Sequence, residues 1–150
     1  MDAIERMAIE RECERLVTRY CHIIDHGEAS RVAELFSKDG AWRGPGVVMQ
    51  GNEEIRVGFT AREANRARMS RHVCNNLLID VVDEDNATGV VYLTLYRHDG
   101  DEERRVSPLE GTEMVGEYRD RFVRTTDGWR IAERSTHVSF VRENVAKKAG

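Results

Sequence analysis

A chain of 150 residues with 33% charged residues and a net charge of −4 lacks the clustered basic excess needed to neutralise phosphates, which argues against a nucleic-acid binder. Its 40% hydrophobic content suits one domain, residues 1–150, with a proper core and a busy surface. The opening "MDAIERMAIERECERL" has no unbroken apolar stretch, so neither a signal peptide nor a membrane span is expected, and a cytoplasmic protein is. Cys13, Cys21 and Cys74 are odd in number and without finger spacing, and read as reduced apolar residues. The basic run of Arg62, Arg66, Arg68 and Arg71, with Glu53, Glu54 and Glu63 nearby, reads as a solvated, salt-bridged face.

Helical spacing of Ile4, Met7/Ala8, Leu16/Val17, Tyr20/Cys21 and Ile24 predicts a first helix from about residue 3 to 25 or 26. Gly27 suits the left-handed position just past its end. Ser30 is placed to cap a short second helix carrying Val32, Ala33, Leu35 and Phe36, stopped by "SKDG". "AWRGPGVVMQG" reads as two short strands around a Gly-Pro-Gly turn. Asn52 is placed to cap a third helix, "EEIRVGFTAREAN", with Ile55 and Phe59 on one face.

From about residue 70 the apolar period changes to two. "RHVCNNLLIDVVD", "ATGVVYLTLYRH", "TEMVGEYRDRFVR" and "WRIAERSTHVSF" are four long strands, the last two joined by an Asp-Gly hairpin in "TTDG". Helices followed by long antiparallel strands give an α+β layer fold. Such a sheet should curl and enclose the helical face, leaving a hollow. By alternation His72, Cys74 and Asn76 share a face, as do Tyr118, Asp120, Phe122 and Arg124. Trp129, Ile131, Glu133, Ser135 and His137 share another, leaving Arg130 and Arg134, with Arg119 and Arg121, on an outer or interface surface.

The segments "YCHIIDHGEASRVAELFSKDGAW", "MQGNEEI", "RHVCNN", "GEYRDRFVR" and "DGWRIAERS", in this order and spacing, resemble the SnoaL-like group of the nuclear-transport-factor-2-like superfamily. The resemblance covers about residues 8–140 and implies a cone-shaped α+β barrel: N-terminal helices packed on a strongly curved, mostly antiparallel sheet around an apolar pocket. The superfamily spans scytalone-type and bile-acid-type dehydratases, ketosteroid isomerases, epoxide hydrolases, polyketide cyclases and a dehydrochlorinase. It also holds non-catalytic small subunits of ring-hydroxylating dioxygenases and plain ligand binders, so the fold does not fix the activity.

Several lyases of the superfamily use an Asp from the end of the first helix and a His from the start of the first long strand, which the resemblance maps onto Asp25 and His72. A carboxylate on one ring nitrogen fixes the imidazole tautomer and leaves the other nitrogen to take a proton. Tyr20, five residues before Asp25 as in bile-acid-dehydratase-like members, is a candidate hydrogen-bond donor; packing on the Leu16/Tyr20/Ile24 stripe is its alternative. The dehydrochlorinase has Lys at the place of Tyr20, and scytalone-type enzymes have Tyr at the place of Ile24, which counts against those two chemistries. Bile-acid-type members use an Arg in the last strand, where "STHVSF" offers His137 and no Arg. Trp42, Phe59, Asn76, Tyr118 and His137 complete the candidate substrate-binding set. His22, His26 and His98 are expected to be exposed, no metal-ligand spacing is present, and no Gly-rich phosphate loop is found.

The leading expectation is a cofactor-independent lyase of dehydratase type, or an isomerase, acting on a small apolar or aromatic ring compound as a homodimer or homotrimer. The alternatives are the small subunit of a ring-hydroxylating dioxygenase and a pocket that only binds ligand. The Asp25 to His72 distance discriminates base pair from binder.

Overall fold

The computed structural model describes residues 1–143. Helix α1 (Ala3–Asp25) starts at Asp2, whose carboxylate accepts from the Ile4 and Glu5 N–H groups while Glu5 bonds back to Asp2 N–H. This reciprocal box satisfies orphan donors of the first turn. From Ile9 onward the stripe Ile9, Cys13, Leu16, Val17, Tyr20, Cys21 and Ile24 is buried. Ile4 and Met7, expected on that stripe, are exposed on the first turns. Gly27, at φ +81°, turns the chain after α1 as expected.

A short 3-10 helix (Ala29–Leu35) follows without a side-chain cap; the Ser30 N–H instead donates to Glu63 Oε2 at 2.8 Å. "SKDG" does not end in coil but opens strand β1 (Phe36–Gly44), which turns into β2 (Val47–Gln50). Helix α2 (Asn52–Ala64) buries Ile55 and Phe59. Its N-cap is Gly51 at φ +86°, and Asn52 serves otherwise: its amide donates to the carbonyls of Ala33 and Phe36, tying α2 to the 3-10 helix and β1.

Strands β3 (Arg68–Val81), β4 (Asn86–Asp99), β5 (Met114–Thr125) and β6 (Gly128–Val141) complete one six-stranded sheet of order β2-β1-β6-β5-β4-β3. Every pairing is antiparallel except β1 with β6. This is the expected α+β arrangement, with N-terminal helices packed on a mostly antiparallel sheet that is not closed.

Two of the register shifts in the sheet re-aim expected site residues. In β3 the pairing slips between Asn75 and Leu78, so Asn76 and Leu77 together oppose Val91, and Asn76 sits at φ +52°. In β6 Arg121 pairs with Glu133 but Phe122 with Ile131, leaving Ala132 as the extra residue. A bulge of one residue reverses the alternation beyond it.

Candidate active site

Between the helices and the concave sheet lies a cavity of about 720 Å³. Its walls come from Tyr20 and Ile24 of α1, Trp42 of β1, Val47 and Met49 of β2, and Phe59 of α2. The sheet adds Leu95, Met114, Tyr118, Thr136, Val138 and Val141, making most of the lining apolar. The polar groups cluster on one side: Arg62, Arg68, Ser70, His72, Arg97 and Glu113.

Asp25 stands where α1 meets β3. Its carboxylate accepts from His72 Nδ1 at 2.6 Å, from the His72 backbone N–H at 2.7 Å and from Ser70 Oγ at 2.7 Å. The side chains of Asp25 and His72 are 5% and 10% exposed, so water competes little for these bonds. Burial pushes the Asp25 carboxyl upward, but the hydrogen bonds and charge of His72 and the hydroxyl of Ser70 outweigh it and hold the pKa below the usual carboxylate range. An ionised Asp25 only accepts, so Nδ1 of this cavity-lining imidazole donates in the bond and Nε2 takes no part in it.

Tyr20 is 1% exposed, and its hydroxyl accepts from Trp42 Nε1 at 3.0 Å, leaving its own proton to donate. Burial pushes the phenol up to about 12, partly offset by the charge of Arg134, so it stays neutral. Its ring meets those of Phe59, His72 and Tyr118 edge-on, at 6.1, 6.4 and 5.7 Å. It fills a core position and a cavity wall together.

Behind Tyr20 lies a group that strand alternation misplaces. Arg134, expected on the outer surface, is fully buried. Its Nε and Nη2 donate to the two Asp120 oxygens at 2.8 and 2.7 Å. Its guanidinium carbon sits 4.3 Å from the Tyr20 ring centre and 4.1 Å from that of Tyr118. Burial lowers the guanidinium pKa, but the charge and hydrogen bonds of Asp120 win and raise it. The extra residue at Ala132 turns Arg134 and Thr136 inward, Thr136 into the cavity lining and Arg134 behind the Tyr20 and Tyr118 rings, outside that lining.

The same bulge turns His137 outward, opposite Glu117, onto the exposed face of the sheet and away from the cavity. Asn76 is likewise exposed at its own bulge and does not line the cavity. Trp42, Phe59 and Tyr118 do line it. Of the basic run, Arg66 and Arg71 are exposed, whereas Arg62 and Arg68 reach the cavity wall, so the solvated-face reading fails for those two. His22 and His26 are exposed; His98 is half-buried, with Nδ1 3.1 Å from Glu110. Among the described residues no three His, Cys, Asp or Glu side chains gather as a metal site. Nor is any helix long and apolar enough to cross a membrane.

A model of the SnoaL-like domain matches residues 5–135. The chain therefore belongs to the SnoaL-like family. None of the curated proteins matches it. Among solved structures, a Novosphingobium aromaticivorans protein provisionally named a scytalone dehydratase superposes with a TM-score of 0.79 at 18% identity, over 95% of this chain and 91% of the other. A Mycobacterium tuberculosis protein of unknown function gives 0.77 at 27% identity, over 99% and 86%. A Catenulispora acidiphila protein in complex with S-DNPA gives 0.72 at 23% identity, over 96% and 99%. These likenesses agree with the α+β fold described above.

Proposed function

We propose that this SnoaL-like chain is a cofactor-independent lyase of dehydratase type, or an isomerase, acting on a small, largely apolar ring compound. The observation that carries the reading is the 2.6 Å contact between His72 Nδ1 and Asp25 at the wall of an apolar cavity. His72 Nε2 takes a proton from a carbon next to a carbonyl, and the electron pair moves into the carbonyl as an enolate. Asp25 stabilises the imidazolium that forms. Tyr20 donates a hydrogen bond to the developing oxyanion. In a dehydratase the enolate then expels a β-hydroxyl, which leaves as water on taking a proton; in an isomerase the proton returns to another carbon. A buried, hydrogen-bonded acid–imidazole pair favours this over a pocket that merely binds. The ligand-bound Catenulispora relative supports a small-molecule occupant.

The test is deuterium uptake from D₂O into a panel of tetralones and β-hydroxy cyclic ketones, followed by proton NMR. Wild type should exchange the α positions, and His72→Gln should lose ~10²–10⁴-fold, the usual worth of a general base. Undiminished exchange in His72→Gln refutes the assignment.

The same proposal includes a homo-oligomer. Val73, Tyr92, Tyr96 and Phe140 are exposed on the sheet, and cross-strand pairing puts Val73 and Phe140 in one row, through Thr94 and Val115. Light scattering after size exclusion reads the subunit count; a monomer at micromolar concentration refutes it.

A further inference from the structure

Three arginines reach the cavity wall: Arg62 from the last turn of α2, Arg68 from the start of β3 and Arg97 from β4. Two of them have carboxylates. Arg68 donates to both Asp99 oxygens, at 2.5 and 3.0 Å, and Arg97 Nε lies 2.6 Å from Glu113. Arg62 has no carboxylate at ion-pairing distance among the described residues. Its side chain makes a single hydrogen bond there, from Nη2 to Ser70 Oγ at 3.1 Å.

The side chain is half-buried, and burial together with the charge of Arg68 pulls its pKa down, against a partial pull upward from Asp25 and Asp99. This cation has given up hydration without gaining an anion. A guanidinium offers five N–H donors in a planar fork that matches a carboxylate. Ser70 uses one. The cavity lining that includes Arg62 also includes the apolar Ile24 and Phe59 and the imidazole of His72. The bonds Arg62 to Ser70, Ser70 to Asp25 and His72 to Asp25 form one continuous chain, so an acid held on Arg62 shares its wall with the base.

We propose that Arg62 is the carboxylate anchor of the cavity, which narrows the ligand to ring compounds carrying a carboxylate. The anchoring stands on the cavity alone; only the further step, that such an acid is the substrate of His72, rests on the function proposed above. The ring then packs on Phe59 and Trp42, and the carboxylate fixes which carbon is offered to the imidazole.

Titration calorimetry with 2-naphthoate and its neutral isostere 2-naphthamide tests this. Wild type should prefer the acid by about 10-fold, equivalent to about 1.4 kcal/mol. Arg62→Gln should weaken naphthoate by that factor and leave naphthamide unchanged, with Arg62→Lys keeping part of the preference. The naphthamide affinity serves as the control for folding. The proposal is overturned by a wild type that does not discriminate, including one that binds neither probe. It is equally overturned if the preference survives Arg62→Gln, or if both probes weaken together, the mark of a residue that only braces Ser70. His72→Gln separates the two ideas. A naphthoate preference retained where ketone exchange never depended on His72 sinks the base and keeps the anchor; the reverse pattern sinks the anchor alone.

Discussion

Replacing Asp120 with Ala should be among the most damaging single changes in this chain. Asp120 and Arg134 are 1% and 0% exposed at the side chain and share two parallel hydrogen bonds. With charge centres about 4 Å apart and an effective dielectric near 20, the lost attraction is ~4 kcal/mol. Measured losses on removing one partner of a buried pair, ~3–5 kcal/mol, agree. The tyrosine rings at 4.1 and 4.3 Å from the guanidinium carbon remain and keep the cost toward the lower end. For a chain of this size ~3–5 kcal/mol corresponds to a melting point lower by ~6–20 °C. With a urea slope of about 2 kcal/mol per molar, the midpoint falls by ~1.5–2.5 M. Urea unfolding followed by far-UV circular dichroism reads this directly. The companion variant Asp120→Leu/Arg134→Met removes both charges and should recover most of the loss, because the penalty lies in the stranded cation. A midpoint shift below ~0.5 M for Asp120→Ala, or a double variant as poor as the single one, refutes the account.

Acid should unfold the protein partly through Asp25. Its folded pKa lies below the ordinary value, so its contribution is complete above the unfolded pKa of about 3.9 and is lost as pH falls through the folded value. Asp25→Asn should therefore flatten the dependence of stability on pH below about pH 4, and an unchanged slope in urea titrations counts against the geometry. Asn52→Ala removes the amide that holds the Ala33 and Phe36 carbonyls and should cost ~1–3 kcal/mol in the same assay; Asn52→Ser, with one donor, should recover part. Gly116→Ala would drive a Cβ into the His137 carbonyl oxygen across the β5–β6 ladder, where backbone must move, at ~1–3 kcal/mol or more. Gly58→Ala meets only the Met49 thioether, a flexible side chain, and should be much milder; equal losses at the two glycines refute this reasoning.

What the sequence discloses and what it conceals divide along one physical line. Periodicity suffices where an element is regular: the α1 stripe from Leu16 to Ile24, the four long strands and the Thr125–Gly128 hairpin were all legible, though not the burial of Ile9 and Cys13. It gives way where one extra residue enters a strand, because an inserted residue carries no compositional mark of its own. Ala132 is an ordinary alanine, yet beyond it Arg134 and Thr136 turn in while His137 turns out. Asn76 carries the better clue, since Asn tolerates positive φ more readily than most residues, and it sits at +52°. Arg62 shows a different failure. Charge runs are usually solvated, and only tertiary placement reveals that the last turn of α2 carries this cation over the cavity.

The two bulges also settle how the site is built. Alternation in β3 brings Ser70, His72 and Cys74 to one face and holds until Asn76, so His72 reaches Asp25 with an unbroken ladder to β4 beside it. The bulge at Ala132 comes before the stretch that faces the cavity, so Arg134, Thr136 and Val138 are re-aimed, until a second shift at Ser139 restores the first alternation and brings Val141 to the cavity. The imidazole is thus set by a regular strand paired to a helix end, whereas the cation supporting Tyr20 is set by an irregularity. Substitutions that disturb the β6 bulge should move Arg134, and through it Tyr20, while leaving the 2.6 Å contact of Asp25 and His72 in place. Asp25 and Tyr20 thus share helix α1, but only the packing of Arg134 behind Tyr20 depends on the bulge at Ala132.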